Sequence, residues 1–191
     1  MIQLFESVKS AMERGENVVL CSILASSGSA PRGAGAKMAV FQNGQALGTI
    51  GGGAVERIAA QQAVELFRTG ASYCQAFCLA PNQVNDIGMI CGGSVTVYFR
   101  FFDHENARDL ELVKTILELL ASGQDAWLVS RMEDGKITAM GTFDEAHGLR
   151  FAELDETMLR PWLTSSAVYR KGEPSYYVEP ISRAGRVYVF G

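Results

Sequence analysis

Three glycine-rich segments constrain this chain more than any other feature: Ser26–Lys37 (SSGSAPRGAGAK), Gly48–Glu56 (GTIGGGAVE) and Gly88–Gly93 (GMICGG). Glycine loses more conformational freedom on folding than any other residue, so its concentration beside apolar strands must serve a purpose. That purpose is left-handed backbone, or a main chain that a ligand can approach closely. One segment carries Arg32 and Lys37, one runs into a helix, and one carries Cys91. Together they point to a single anionic, sulfur- or metal-bearing ligand.

Apolar periodicity supplies the frame around these segments. Ile2, Phe5, Val8 and Met12 recur at helical spacing, with Gly15 as the stop. Val18–Ala25 is a continuous apolar run and reads as a buried strand. Lys37–Gln42 and Gln45–Ile50 flank Asn43-Gly44, a strong hairpin signal. The triple glycine opens onto a helix, Ala54–Thr69, that ends at Gly70. Strands are expected at Tyr73–Leu79, Ser94–Phe102 and Tyr176–Ile181, a helix at Ala107–Leu120, and a short helical piece at Met158–Leu163. Ala126–Met132 and Ile137–Phe143 form a hairpin around Asp134-Gly135. The expected class is α/β, a layered mixed sheet with flanking helices over residues 1–180. Residues 181–191 read as a linker and the first strand of a truncated Rossmann-like domain, because Arg186–Gly191 is a buried-type strand stopping on glycine.

The chain has 191 residues and a net charge of −4, so it has no electrostatic footprint for nucleic acid or an anionic membrane. Its four cysteines are irregularly spaced and Met1–Gly15 is charged and amphipathic rather than a signal peptide; both favour reduced thiols and a cytoplasmic setting.

The candidate chemistry is local. Gly51–Gly53 before a helix presents free N–H groups at the positive end of the helix dipole, suited to phosphate. The lysine and Ser/Thr of a nucleotide P-loop are missing, and a tight turn accounts for the glycines equally well. Glu56 complements the dipole in the first turn. Arg32, between Pro31 and Gly33, offers a guanidinium fork for phosphate or a heterocycle edge, with Ser27, Ser29 and Lys37 as further polar contacts. Gly92 and Gly93 follow Cys91 with backbone N–H groups that stabilise a thiolate, making it a nucleophile, a sulfur carrier or a soft metal ligand. A zinc or iron–sulfur site built from Cys74, Cys78 and Cys91 lacks paired C-x-x-C spacing. His104 and His147 sit in polar loops, poor partners for a cysteine nucleophile.

The ordered set GSAPRGAGAKM, GTIGGGAVE and GMICGG resembles the N-terminal half of the XdhC/CoxI family, accessory proteins of molybdenum hydroxylases such as xanthine dehydrogenase. The resemblance covers residues 1–102. It implies a chaperone, a maturation factor rather than an enzyme, that binds molybdenum cofactor (molybdopterin) as cargo. Such a protein takes part in sulfuration with a cysteine desulfurase and hands the cofactor to the apo-hydroxylase. On that mapping Gly51–Gly53 cradle the phosphate, Arg32 pairs with phosphate or pterin, and Cys91 approaches the molybdenum or relays sulfur. A homodimer would shelter the cargo. Two other readings stand beside it. An NAD(P)-dependent oxidoreductase lacks its G-x-G-x-x-G in this chain, and a thiol-based sulfur-transfer protein would work through Cys91 alone.

Overall fold

The computed structural model describes residues 1–28, 32–78 and 93–182. Ser29, Cys91, Gly92 and the strand expected at Arg186–Gly191 lie outside the described residues, and so does any test of the 181–191 linker.

Ten strands form one sheet in the order β3-β2-β1-β5-β4-β7-β6-β10-β9, with β8 beside β7. They are β1 (Val18–Gly28), β2 (Lys37–Phe41), β3 (Ala46–Gly48), β4 (Tyr73–Cys78), β5 (Gly93–Phe102), β6 (Ala126–Glu133), β7 (Lys136–Asp144), β8 (Gly148–Arg150), β9 (Val168–Arg170) and β10 (Ser175–Ser182). The helices are α1 (Ile2–Glu13), α2 (Gly53–Thr69), α3 (Ala107–Ser122) and the short α4 (Glu156–Leu159), which continues as a 3-10 turn over Arg160–Trp162. The α/β class and the flanking helices agree with the sequence. The sheet is not mixed, however: every described ladder is antiparallel. The reason is topological. Strands adjacent in sequence pair as hairpins, while α2 joins β3 to β4 and α3 joins β5 to β6, pairs that are not neighbours.

Alternation along β1 divides the core. Val19, Cys21 and Ile23 pack with Val97, Phe99 and the apolar face of α2 (Ala59, Ala63, Leu66). Val18, Leu20 and Leu24 face the other way, against α1 (Phe5, Val8, Met12) and α3 (Leu112, Val113, Ile116). A third cluster, Trp127, Val129, Phe143 and Val178, closes under Leu159 of α4. β4 and β7 share a single ladder pair, Tyr73↔Lys136. The sheet curls enough that Tyr177 and Glu179 of β10 reach back to β1 and β2: the Tyr177 hydroxyl lies 3.2 Å from the Ile23 carbonyl. No helix among the described residues is long and apolar enough to cross a membrane.

Candidate functional site

Antiparallel register brings parts of all three glycine segments to one end of the sheet. β1 ends at Gly28 opposite Gly93, the first residue of β5, and Ser27 pairs with Ser94. β2 begins there at Lys37, opposite Ser22 of β1. Gly48, the last residue of β3, pairs with Met38, and α2 starts five residues later at Gly53. The chain therefore returns to the same edge after each turn, and the glycines stand where strands become loops.

The triple glycine forms the backbone concavity its sequence suggested, with φ of 127°, 74° and 63° at Gly51, Gly52 and Gly53. An anion already sits in it, supplied by the chain. Glu56 Oε2 accepts from Ile50 N at 3.0 Å and from Gly52 N at 2.9 Å, and the Thr49 hydroxyl donates to the same oxygen. Gly51 N donates in turn to Thr49 Oγ1 at 3.1 Å. Gly52 is the N-cap of α2, so Glu56 reaches back to the cap N–H in the manner of a capping box. Burial pushes the Glu56 carboxyl upward, but the bonds from Thr49, Gly52, Ile50 and Gly51 outweigh it and hold it below the usual carboxylate range. Its role thus exceeds the dipole complement read from sequence. Thr49 is a partner that the glycine motif did not single out.

A cleft of about 340 Å³ opens beside this cradle, lined by Arg32, Gly35, Lys37, Thr49 and the first turn of α1 at Gln3 and Leu4. It draws together Arg32 of the first segment and Thr49 of the second. Arg32 is exposed. Lys37, expected as a further polar contact for a ligand, has its ammonium ion-paired to Glu179 within the protein, their side chains only 4% and 2% exposed. It also donates to the Gly35 carbonyl at 3.2 Å. Glu179 Oε2 is 2.9 Å from the Tyr177 hydroxyl. Burial, then the Glu179 charge, drives that phenol's pKa far upward, so it stays protonated. A second cleft of about 350 Å³ lies across the ion pair, lined by Ala34, Gly35, Ser165, Ser166 and Glu179. Gly35 borders both. A Cβ there would stand 3.1 Å from Glu179 Oε2, so the absence of a side chain is what lets the loop approach the carboxylate.

The remaining candidates separate from this end. The Ser27 side chain falls outside the described part, as do Ser29, Cys91 and Gly92. Among the described residues no group of three His, Cys, Asp or Glu is placed to hold a metal. Cys21 is buried, and the Cys74 thiol lies 3.3 Å from Met132 Sδ, raised to about 12 by burial. His104 is fixed by Asn17 and His147 by Asp144.

These observations define a class: an antiparallel-sheet α/β domain with an anion-holding glycine turn and an arginine-lined cleft at one sheet end. Comparison with known proteins agrees. Residues 11–77, which include β1, the hairpin and α2, match the family model described as XdhC and CoxI family. Over this stretch the chain is similar to the XdhC and CoxI family. No curated protein matches. Among solved structures, one described as a xanthine dehydrogenase from Bacillus halodurans is similar, with a TM-score of 0.75 at 17% identity over 95% of this chain. This chain spans 52% of that protein's length, and the likeness establishes the fold.

Proposed function

We propose that this chain is an accessory factor for a molybdenum hydroxylase of the xanthine dehydrogenase kind: it carries molybdenum cofactor as cargo, assists its sulfuration and delivers it to the apo-enzyme. It acts as a non-catalytic maturation protein in the cytoplasm, with the hydroxylase and a cysteine desulfurase as partners. The observation that supports this reading is that the first two glycine segments meet in one cleft, at Arg32, Gly35, Gly48 and Thr49. The fit is chemical. The Ile50 and Gly52 N–H groups and the Thr49 hydroxyl already bind a carboxylate oxygen, so this turn holds anions.

In this reading the cargo's phosphate is bound by Gly51–Gly53 and Thr49, taking over donors that Glu56 occupies in the free protein. Arg32 pairs with phosphate or with the polar edge of the pterin. Cys91, with Gly92 and Gly93 beside it, supplies the soft contact to molybdenum or to the incoming sulfur. Lys37 supports the cleft wall from its ion pair with Glu179.

Anaerobic titration of the purified chain with molybdenum cofactor tests this, comparing wild type with Arg32→Ala and Cys91→Ser. Saturable binding, weakened tenfold or more by each substitution, is expected. Unchanged affinity in both variants would remove the site from this end of the sheet. Repeating the titration on a chain extended past Gly191 separates a site that needs further residues from one that is absent.

A further inference from the structure

A third cleft, of about 380 Å³, lies on the face of the sheet that carries α3, away from the glycine segments. Three arginines line it: Arg100 from β5, Arg108 from the first turn of α3, and Arg131 from β6. Their states differ. Arg100 is held in place, ion-paired to the nearly inaccessible Asp109 and lying 5.0 Å from the Phe102 ring centre. Arg108 has no carboxylate among the described residues; its guanidinium donates only to the Phe151 carbonyl, at 2.8 Å. Arg131 is paired with Glu133 through one terminal nitrogen, while its Nε is buried without an acceptor. Its guanidinium is thus not fully satisfied within the protein.

The surrounding backbone departs from regular structure at the same place. The β6–β7 register shifts between Arg131 and Met132, leaving Thr138 of the cleft wall unpaired in the ladder. Phe151, also in the wall, has φ of 67°, left-handed for a bulky residue. Bulges and left-handed bulky residues concentrate where a side chain has been re-aimed for binding. Asp109, Glu153 and Glu133, the partner of Arg131, balance the three arginines in number, but Arg108 has no carboxylate partner among the described residues, so its charge is available to an anion. Leu112, Met140 and Phe151 give it an apolar side.

We propose that this cleft is a binding site for a small organic anion: a phosphate or carboxylate head held by Arg108 and Arg131, with an apolar body against Met140 and Phe151. Its volume falls within the range of ligand pockets, and planar guanidinium forks match both head groups. The site is separate from the Arg32 cleft and does not depend on how that cleft is used.

Isothermal titration of the full chain carrying Arg32→Ala, which removes the cation of the other cleft, with phenyl phosphate and in parallel with benzoate, tests it. Saturable binding of either probe is expected, and the tighter one identifies the head group. In that background Arg108→Gln should weaken that probe tenfold or more, as should Arg131→Gln. Arg108 is exposed and bonds only a backbone carbonyl, so Arg108→Gln keeps the fold and decides the matter if Arg131→Gln does not purify. No binding of either probe overturns the proposal. So does binding that survives Arg108→Gln.

Discussion

Lys37 and Glu179 stand 142 residues apart in sequence, yet their side chains form a nearly inaccessible ion pair that joins the start of β2 to β10. A buried pair loses much of its Coulomb gain to desolvation, but removing one partner strands a charge in the interior. Lys37→Met and Glu179→Leu should each destabilise the fold by about 3–5 kcal/mol, with the double variant recovering most of that loss. Urea denaturation of the three variants checks this; additive single-site losses would mean the groups act independently.

Glu56 gives the glycine turn a pH signature. Its carboxyl is lower in the folded protein than in the unfolded chain, so the unfolded state takes up protons first as pH falls. Its contribution is complete above the ordinary carboxylate range and disappears as pH drops through the folded value. Glu56→Gln should therefore be less stable than wild type at pH 7, by about 1 kcal/mol, with the gap closing toward pH 3. Thermal melts of both proteins across that range report the difference, and a gap independent of pH would sink the assignment. At neutral pH the same variant should bind inorganic phosphate more tightly, because a neutral amide replaces the resident carboxylate.

Gly48 is a place where a methyl group has no room. Its φ is 88°, and a Cβ there would meet the Lys37 carbonyl at 2.5 Å and Leu4 Cδ1 at 2.8 Å. Left-handed strain and a backbone clash add, so Gly48→Ala should cost about 2–4 kcal/mol and weaken the Lys37 pair. A fall of several degrees in Tm checks it; the outcome that counts against it is an unchanged melt.

The buried thiols should be slow. Cys74 is raised to about 12 and Cys21 is pushed higher still by desolvation, so neither carries useful thiolate near pH 8. In a Cys78→Ser/Cys91→Ser variant, a thiol-specific chromogenic reagent should label under a tenth of the two remaining cysteines in an hour. Both should react at once in denaturant. Rapid native labelling would show that one of them is exposed.

Local signals in the sequence located most elements, because those elements rest on local physics. The α2 helix follows from its apolar spacing and from Gly70, and the two hairpins from Asn43-Gly44 and Asp134-Gly135. The β8 and β9 strands are three residues each, too short for a period-2 pattern to register. The antiparallel sheet was not legible, since strand order is a property of crossovers rather than of any one segment. At the site, the glycine turn was visible as a motif, but its occupation by Glu56 depends on a side chain reaching back over four residues. Glu179 carried no signal at all, because its partner arrives only when the sheet curls. The arginines of the third cleft come from β5, α3 and β6, and no spacing links them.

Among the described residues, the two ends of the sheet differ in what they can tolerate. Gly28, Lys37, Gly48 and Gly93 all lie toward one end of the strands, whereas the Asn43-Gly44 turn lies toward the other, a β2 length of about 15 Å from Lys37. That turn is free to vary: a short epitope or a fluorophore spliced between Asn43 and Gly44 would report on the molecule from its quiet rim. The same splice at Gly33 or Gly51 would cut through its business edge.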